Sequence, residues 1–263
     1  MGDVFKKGPI ELRLGDYRDV LSDVEPDAVL VDPPYSKRTH AGHDIAVTGL
    51  ATGCVNERER RYGHADSAIR QALTYTFWQA ADVDALFHRF GDVDGWVCAF
   101  SDHVLVMDYE RAAGAAGRYA FSPIAWWAPG SRVRMLGDGP ARWTTEINVS
   151  RPRAKRFCSW GALPGGYQCH TQSGGHIGGK PLALMRALVR DYSRPGDLVC
   201  DPCSGGATTL IAAALEGRRA IGAELDPETY AKACARIART ALTPPLPGLE
   251  REPMNGAQDG FDL

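Results

Sequence analysis

An α/β fold with a parallel sheet and helices on both faces is predicted by three features of this 263-residue chain. From Lys180 onward, strand-like and helix-like segments alternate in a βαβα order, which implies right-handed crossovers between parallel strands. Two apolar runs end abruptly in an acid and a turn, at Asp32 and at Asp201. Hydrophobic residues make up 44% of the chain, enough at this length to bury a substantial core in one large domain or one domain with an insertion.

Read in order, Ile10–Leu14 and Ala28–Val31 are expected as buried strands. Residues 36–70 have no sustained period, and a connection of that length is expected to be a functional or disordered loop. Helices are expected over Thr74–Phe90 and His103–Ala116, and strands over Gly95–Phe100, Tyr119–Trp127 and Thr144–Val149. A Gly- and Arg-rich stretch from Ser150 to Gly179 lacks a clear period and reads as partner-facing. The regular part then gives helix Pro181–Tyr192, strand Leu198–Cys200, helix Ala207–Leu215, strand Ala220–Glu224 and helix Pro227–Thr240. The Pro-rich tail 242–263 is expected to be loosely held.

Composition narrows the setting. The N-terminal residues lack the apolar run of a signal peptide, and no stretch approaches the roughly 20 apolar residues of a membrane span, so a cytoplasmic protein is expected. Seven scattered cysteines, an odd number, suit a reducing compartment. The net charge of −2 hides an asymmetry: Ser131–Gly161 holds seven basic residues against two acids. Such a stripe fits either a solvated face or a nucleic-acid contact.

The two strand ends carry the chemistry. In an open parallel sheet, ligands bind outside the carboxyl ends of the strands. After the strand Leu198–Cys200 comes Asp201-Pro202-Cys203-Ser204-Gly205-Gly206-Ala207-Thr208-Thr209, in which the two glycines allow close backbone approach. Glu224 ends the next strand, 18 residues beyond Gly206, a spacing that suits the two hydroxyls of a ribose. Neither G-x-G-x-x-G nor G-x-x-x-x-G-K-[ST] is present, which points to a nucleoside without phosphates, and S-adenosylmethionine fits that description. At the other end, Asp32-Pro33-Pro34-Tyr35 is stiff and poor in donors, so an acid and a fixed carbonyl can together receive an NH₂ group. Tyr35 directly behind can stack on a flat heterocycle, worth about 1–3 kcal/mol per base. Cys200-x-x-Cys203 stands without a second pair, and Cys158, Cys169, His170 and His176 have spacings that a zinc ion could use; no metal is expected at either place.

These segments, in this order, resemble the DNA amino-methyltransferases, enzymes that methylate the exocyclic amine of adenine or cytosine. Asp32–Tyr35 resembles the catalytic D-P-P-Y segment, Asp201–Thr209 the cofactor loop, and Gly222–Pro227 the ribose strand. His176–Pro181 resembles the H-P-x-x-K-P helix start, and Leu14-Gly15-Asp16 the segment whose acid touches the cofactor adenine. The catalytic segment precedes the cofactor loop, which matches the permuted β class. Cys203, Ala207 and Ile177 depart from the usual residues.

The resemblance implies a Rossmann-like S-adenosylmethionine-dependent methyltransferase sheet over residues 1–241, with an inserted loop 36–70 and a target-recognition region 128–179. It implies Asp32, Pro33, Pro34 and Tyr35 as catalytic residues. Asp16, Lys180, Asp201, Pro202, Cys203, Ser204, Gly205, Gly206, Thr208 and Glu224 are implied around the cofactor, with Lys180 at its carboxylate end. Lys37, Arg38, Arg132, Arg134, Arg151, Arg153, Lys155 and Arg156 are the expected nucleic-acid contacts. Double-stranded DNA is the implied substrate and adenine N6 the implied target, in restriction-modification and a nucleoid-associated setting. Cytosine N4 and an RNA substrate stand as alternatives. Dimerisation, common in the class, would use the helices around Thr74–Phe90 and His103–Ala116.

Overall fold

Apolar runs without alternation build sheet centres buried on both faces, and here they build the middle of one mixed sheet. The computed structural model describes residues 3–41, 75–129, 142–153, 160–170 and 179–242. In chain order the strands are β1 (Val4–Lys7), β2 (Ile10–Leu14), β3 (Ala28–Val31), β4 (Val97–Ser101), β5 (Arg118–Ala120), β6 (Ile124–Trp127), β7 (Thr144–Pro152), β8 (Gly166–Gln168), β9 (Leu198–Asp201) and β10 (Arg219–Glu224). The helices are α1 (Tyr17–Val20), α2 (Ala80–Phe90), α3 (Val106–Ala115), α4 (Leu182–Tyr192), α5 (Thr208–Leu215) and α6 (Pro227–Arg239).

The strand order is β1-β2-β10-β9-β3-β4-β7-β6-β8, with β5 pairing on β7. From β2 to β4 all neighbours are parallel. β1 and β7 run antiparallel to their inner neighbours. From β9 the chain proceeds through α5 to β10 on one side, whereas β3 leads through α2 to β4 on the other, so the order reverses between β9 and β3. A crevice opens outside the strand ends at such a point.

Side chains of β3 show how the layers form. Leu30 packs with Leu184, Leu188 and Leu210 from α4 and α5, while Val29 and Val31 pack with Leu86, Phe90 and Tyr109 from α2 and α3. The helix starts are locally encoded: the Asp226 side chain accepts from the Thr229 N–H at 2.8 Å to cap α6, with Pro227 at its first turn.

Several elements differ from expectation: α1 was not expected, and the helix expected from Thr74 begins at Ala80. The single strand expected over Tyr119–Trp127 is two, β5 and β6, both paired with β7 and separated by a stretch containing Pro123, which has no N–H for a ladder. β1 and β8 were not expected. β8 lies in the Gly-rich stretch, and its Gly166 is needed because a Cβ there would stand 2.9 Å from the Ala125 carbonyl oxygen. The span 128–179 thus contributes β7 and β8 to the main sheet.

Arg118 is buried to 1% exposure and makes no ion pair among the described residues. Its guanidinium instead donates to the carbonyls of Gly91, Val93, Gly95 and Ser150 and to Ser150 Oγ. Burial pulls its pKa down to about 10. Arg118→Met leaves those carbonyls unpaired and should lower stability by about 3 kcal/mol in urea unfolding; an unchanged midpoint would show that water replaces the guanidinium without cost.

A candidate active site at the carboxyl edge of the sheet

Five parallel strands deliver five carboxylates to one edge. In strand order they are Asp16 two residues after β2, Glu224 ending β10, Asp201 ending β9, Asp32 directly after β3 and Asp102 directly after β4. Register staggers them: Glu224 is opposite Leu14, Gly222 opposite Asp201 and Val29 opposite Cys200, so Asp201 sits two positions short of Glu224 on one side and of Asp32 on the other. The half-buried Cys203 thiol records the convergence: burial raises its pKa, and the charges of Asp201, Glu224, Asp32 and Asp16 raise it further.

The five acids are compensated unequally. Asp16 caps α1 through the Arg18 N–H at 2.9 Å and is paired with the Arg18 guanidinium, which holds its carboxyl low. Asp32 is paired with Lys180, Oδ2 to Nζ 2.5 Å. Asp102 is buried, which works to raise its pKa, but donors prevail and the net shift is downward. Those donors are Ser36 Oγ at 2.5 Å, the Ser36 N–H at 3.2 Å, the Thr39 hydroxyl and the Val104 N–H at 3.1 Å.

The two central acids have backbone donors and no cation. Asp201, 1% exposed, accepts from the Cys203 N–H at 3.1 Å. Burial pushes its carboxyl up to about 7; the Thr209 hydroxyl opposes this, and the charges of Asp32 and Glu224 add to it. Glu224 is also raised by burial, against N–H donors from Asp226 at 2.9 Å and Gly205 at 2.8 Å.

The loop after β9 is held against β10 by Ser204, whose N–H bonds the Ala223 carbonyl and whose Oγ bonds the Asp201 carbonyl, both at 2.9 Å. A Cβ on Gly222 would stand 2.0 Å from Ser204 Oγ, so this strand position must be glycine. Ala207 takes the left-handed conformation at φ 61°, where the family pattern has glycine. Pro202 is buried, and Thr208 Oγ1 accepts from Arg236 at 2.8 Å.

Around Asp32 the walls are aromatic. The Tyr35 hydroxyl lies 3.3 Å from Asp32 Oδ1, and the Tyr35 carbonyl accepts from the Trp78 N–H at 3.0 Å. Pro33 is buried and Pro34 half-buried. Tyr75 is close enough that burial and the Asp32 charge push its pKa up to about 12. Beneath, the fully buried Tyr109 hydroxyl has no hydrogen-bond partner among the described residues.

The expected nucleic-acid contacts divide. Lys37 and Arg38 begin a helical turn directly after Ser36, at the site edge. Arg38 approaches His103 Nε2 at 3.4 Å, and Arg142 approaches Nδ1 of the same ring at 2.8 Å. Arg151 and Arg153 are not brought there: β7 is antiparallel to β4, so its end lies at the opposite edge of the sheet, where both guanidiniums cover Tyr119. Arg132, Arg134, Lys155 and Arg156 lie outside the described residues, as do Cys158, His176, most of the loop 36–70 and the tail from 243. Sequence reasoning missed Asp102 and His103, and left Arg142 among the bulk charges. Asp102 carried the signal that selected Asp32, an acid directly after an apolar strand.

Comparison with known proteins follows this geometry. Residues 125–235 match a family described as DNA methylase. Over those residues the chain is similar to the DNA methylases of that family. It is 29% identical over 135 residues to the Type II methyltransferase M.XycI of Xanthomonas campestris pv. cyanopsidis, covering 46% of this chain and 45% of that one. The chain therefore spans less than half the length of the curated relatives it matches first. Its fold is that of the M1.HpyAVI–SAM complex, with TM-score 0.60 at 16% identity over 87% of this chain and 98% of that one. PvuII DNA methyltransferase (cytosine-N4-specific) superposes with TM-score 0.56 at 16% identity, over 91% of this chain and 93% of that one. The sheet is thus Rossmann-like, as in those structures.

Asp102→Ala removes the acceptor that ties Ser36 and Thr39 behind Tyr35. It should lower stability by about 2 kcal/mol in denaturant unfolding, and Asp102→Asn should recover less than half of that, since the amide offers one acceptor oxygen.

Proposed function

We propose that this protein transfers a methyl group from S-adenosylmethionine to the exocyclic N6 amine of adenine in double-stranded DNA. The observation that carries the reading is the row of acids at the strand-order reversal, with an uncompensated pair in its centre and Asp32-Pro33-Pro34-Tyr35 beside it. A cationic cofactor fits that centre, because positive charge favours the ionised carboxylates that burial disfavours at Asp201 and Glu224. Gly205, Gly206 and Ser204 would border its amino-acid part, with Asp201, Pro202, Cys203 and Thr208 shaping the loop. Glu224 would take the ribose hydroxyls, and Asp16 lies toward the adenine. Once bound, the cofactor supplies an electrophilic methyl carbon on a sulfonium.

The chain's own residues do the rest. A base turned out of the duplex costs a few kcal/mol in lost stacking, which Tyr35 would recover in part by stacking. Asp32 and the Pro33 carbonyl accept the two amine hydrogens, turning the nitrogen lone pair out of the ring plane toward the donor. Asp32 therefore orients first and receives a proton only after transfer has made the amine positive. Lys37, Arg38 and Arg142 at the same edge suit phosphate contacts.

A second reading, cytosine N4, is favoured by the likeness to PvuII methyltransferase, named for that specificity. The deciding experiment is incubation with unmethylated duplex DNA and S-adenosylmethionine, followed by digestion and mass spectrometry of nucleosides. N6-methyladenine is the expected product; N4-methylcytosine would move the target and keep the mechanism. Asp32→Ala should reduce transfer by about 100-fold or more and leave cofactor affinity in place; loss of both would refute the division of roles.

Cofactor affinity should also depend on pH. The Asp201 carboxyl is raised above its unfolded value, so its protonated form stabilises the free protein at low pH, and that contribution is lost as pH rises through about 7. A cation binds the ionised form. Calorimetry should show affinity for S-adenosylmethionine rising from pH 6 to 8, by up to about ten-fold per unit below the pKa, with a flat profile for Asp201→Asn.

A further inference from the structure

We propose that Lys180 is a positioning residue for Asp32: its ammonium holds one carboxylate oxygen, Oδ2, and so reserves Oδ1 for the amine of the target base. This deepens the methyltransferase reading and rests on it. The sequence-level expectation put Lys180 at the carboxylate end of the cofactor. Its head group instead lies 2.5 Å from Asp32 Oδ2, and its side chain is only 7% exposed.

The ammonium is boxed in as well as paired. It lies 4.9 Å from the ring centroid of Phe100, 5.3 Å from that of Tyr35 and 6.0 Å from that of Trp126. Those rings come from β4, from the segment after β3, and from β6, so three strand ends fix one cation. Cations over ring faces are held more strongly when desolvated.

The other oxygen is differently placed. Among the described residues Oδ1 has the Tyr35 hydroxyl alone, at 3.3 Å, long for an O–H···O bond, so it retains acceptor capacity. Anchoring one oxygen defines the rotation of the carboxylate, and hence the direction in which the other receives a hydrogen. Because Lys180 sits just ahead of α4, 148 residues from Asp32, the cofactor half of the chain sets the aim of the catalytic half.

The test compares Lys180→Met and Lys180→Arg with the unaltered protein. Cofactor affinity is read by calorimetry, and transfer to duplex DNA by single-turnover kinetics at saturating cofactor. Lys180→Met should lower the transfer rate by about 100-fold, the scale of a misaimed group, and leave the cofactor Kd within about two-fold. Lys180→Arg should recover part of the rate. A cofactor Kd weakened by about ten-fold or more with an unchanged transfer rate would overturn the proposal, as would no change in either. If the unaltered protein methylates no DNA, the substrate reading fails, and a double-mutant cycle of Asp32→Asn and Lys180→Met on thermal unfolding judges the pair by itself. Coupled losses support the anchoring role; additive losses overturn it.

Discussion

Five like charges on one sheet edge are the constraint to which the rest of this structure answers. Parallel pairing leaves no choice about where Asp16, Glu224, Asp201, Asp32 and Asp102 go, because each follows or ends a strand that runs the same way. Repulsion among them has to be offset, and the chain uses a different device at each. An arginine serves Asp16, a caged lysine serves Asp32, and hydroxyls with backbone N–H groups serve Asp102. The central pair, Asp201 and Glu224, has no ion pair among the described residues: backbone N–H groups serve both, the Thr209 hydroxyl also serves Asp201, and burial keeps both pKa values raised.

The packing around the edge serves the same end. Buried apolar faces on both sides of β3 hold the strand rigid up to Val31, so that Asp32 starts from a defined position. Asp102 ties the turn after Tyr35 to the end of β4, and Trp78 returns to bond the Tyr35 carbonyl. The segment Asp32–Tyr35 is thus held from β3, β4 and the chain ahead of α2.

Positive charge is distributed by topology too. Arg142 and Arg151 are nine residues apart, yet antiparallel β7 carries them to opposite edges of the sheet. Arg142 joins Arg38 around His103 near the crevice, whereas Arg151 and Arg153 cover Tyr119 at the far side. Basic stripes read along a chain therefore overstate the size of a single surface.

Sequence alone determined the strand cores, the βαβα half and the two strand-terminal segments at 32–35 and 201–209, because those features are local: an apolar run, an acid, a proline pair, a glycine pair. The gap between Ala120 and Ile124 was visible in Pro123 but outweighed by the apolar run around it. Tertiary structure decided what depends on strand order and direction. It set Lys180 on Asp32, made Asp102 a tether, gathered Arg38, His103 and Arg142, and separated Arg151 from the site. Pairing between strands distant in sequence has no local signature, so neither the neighbour of a charge nor its protonation can be read until the sheet is assembled.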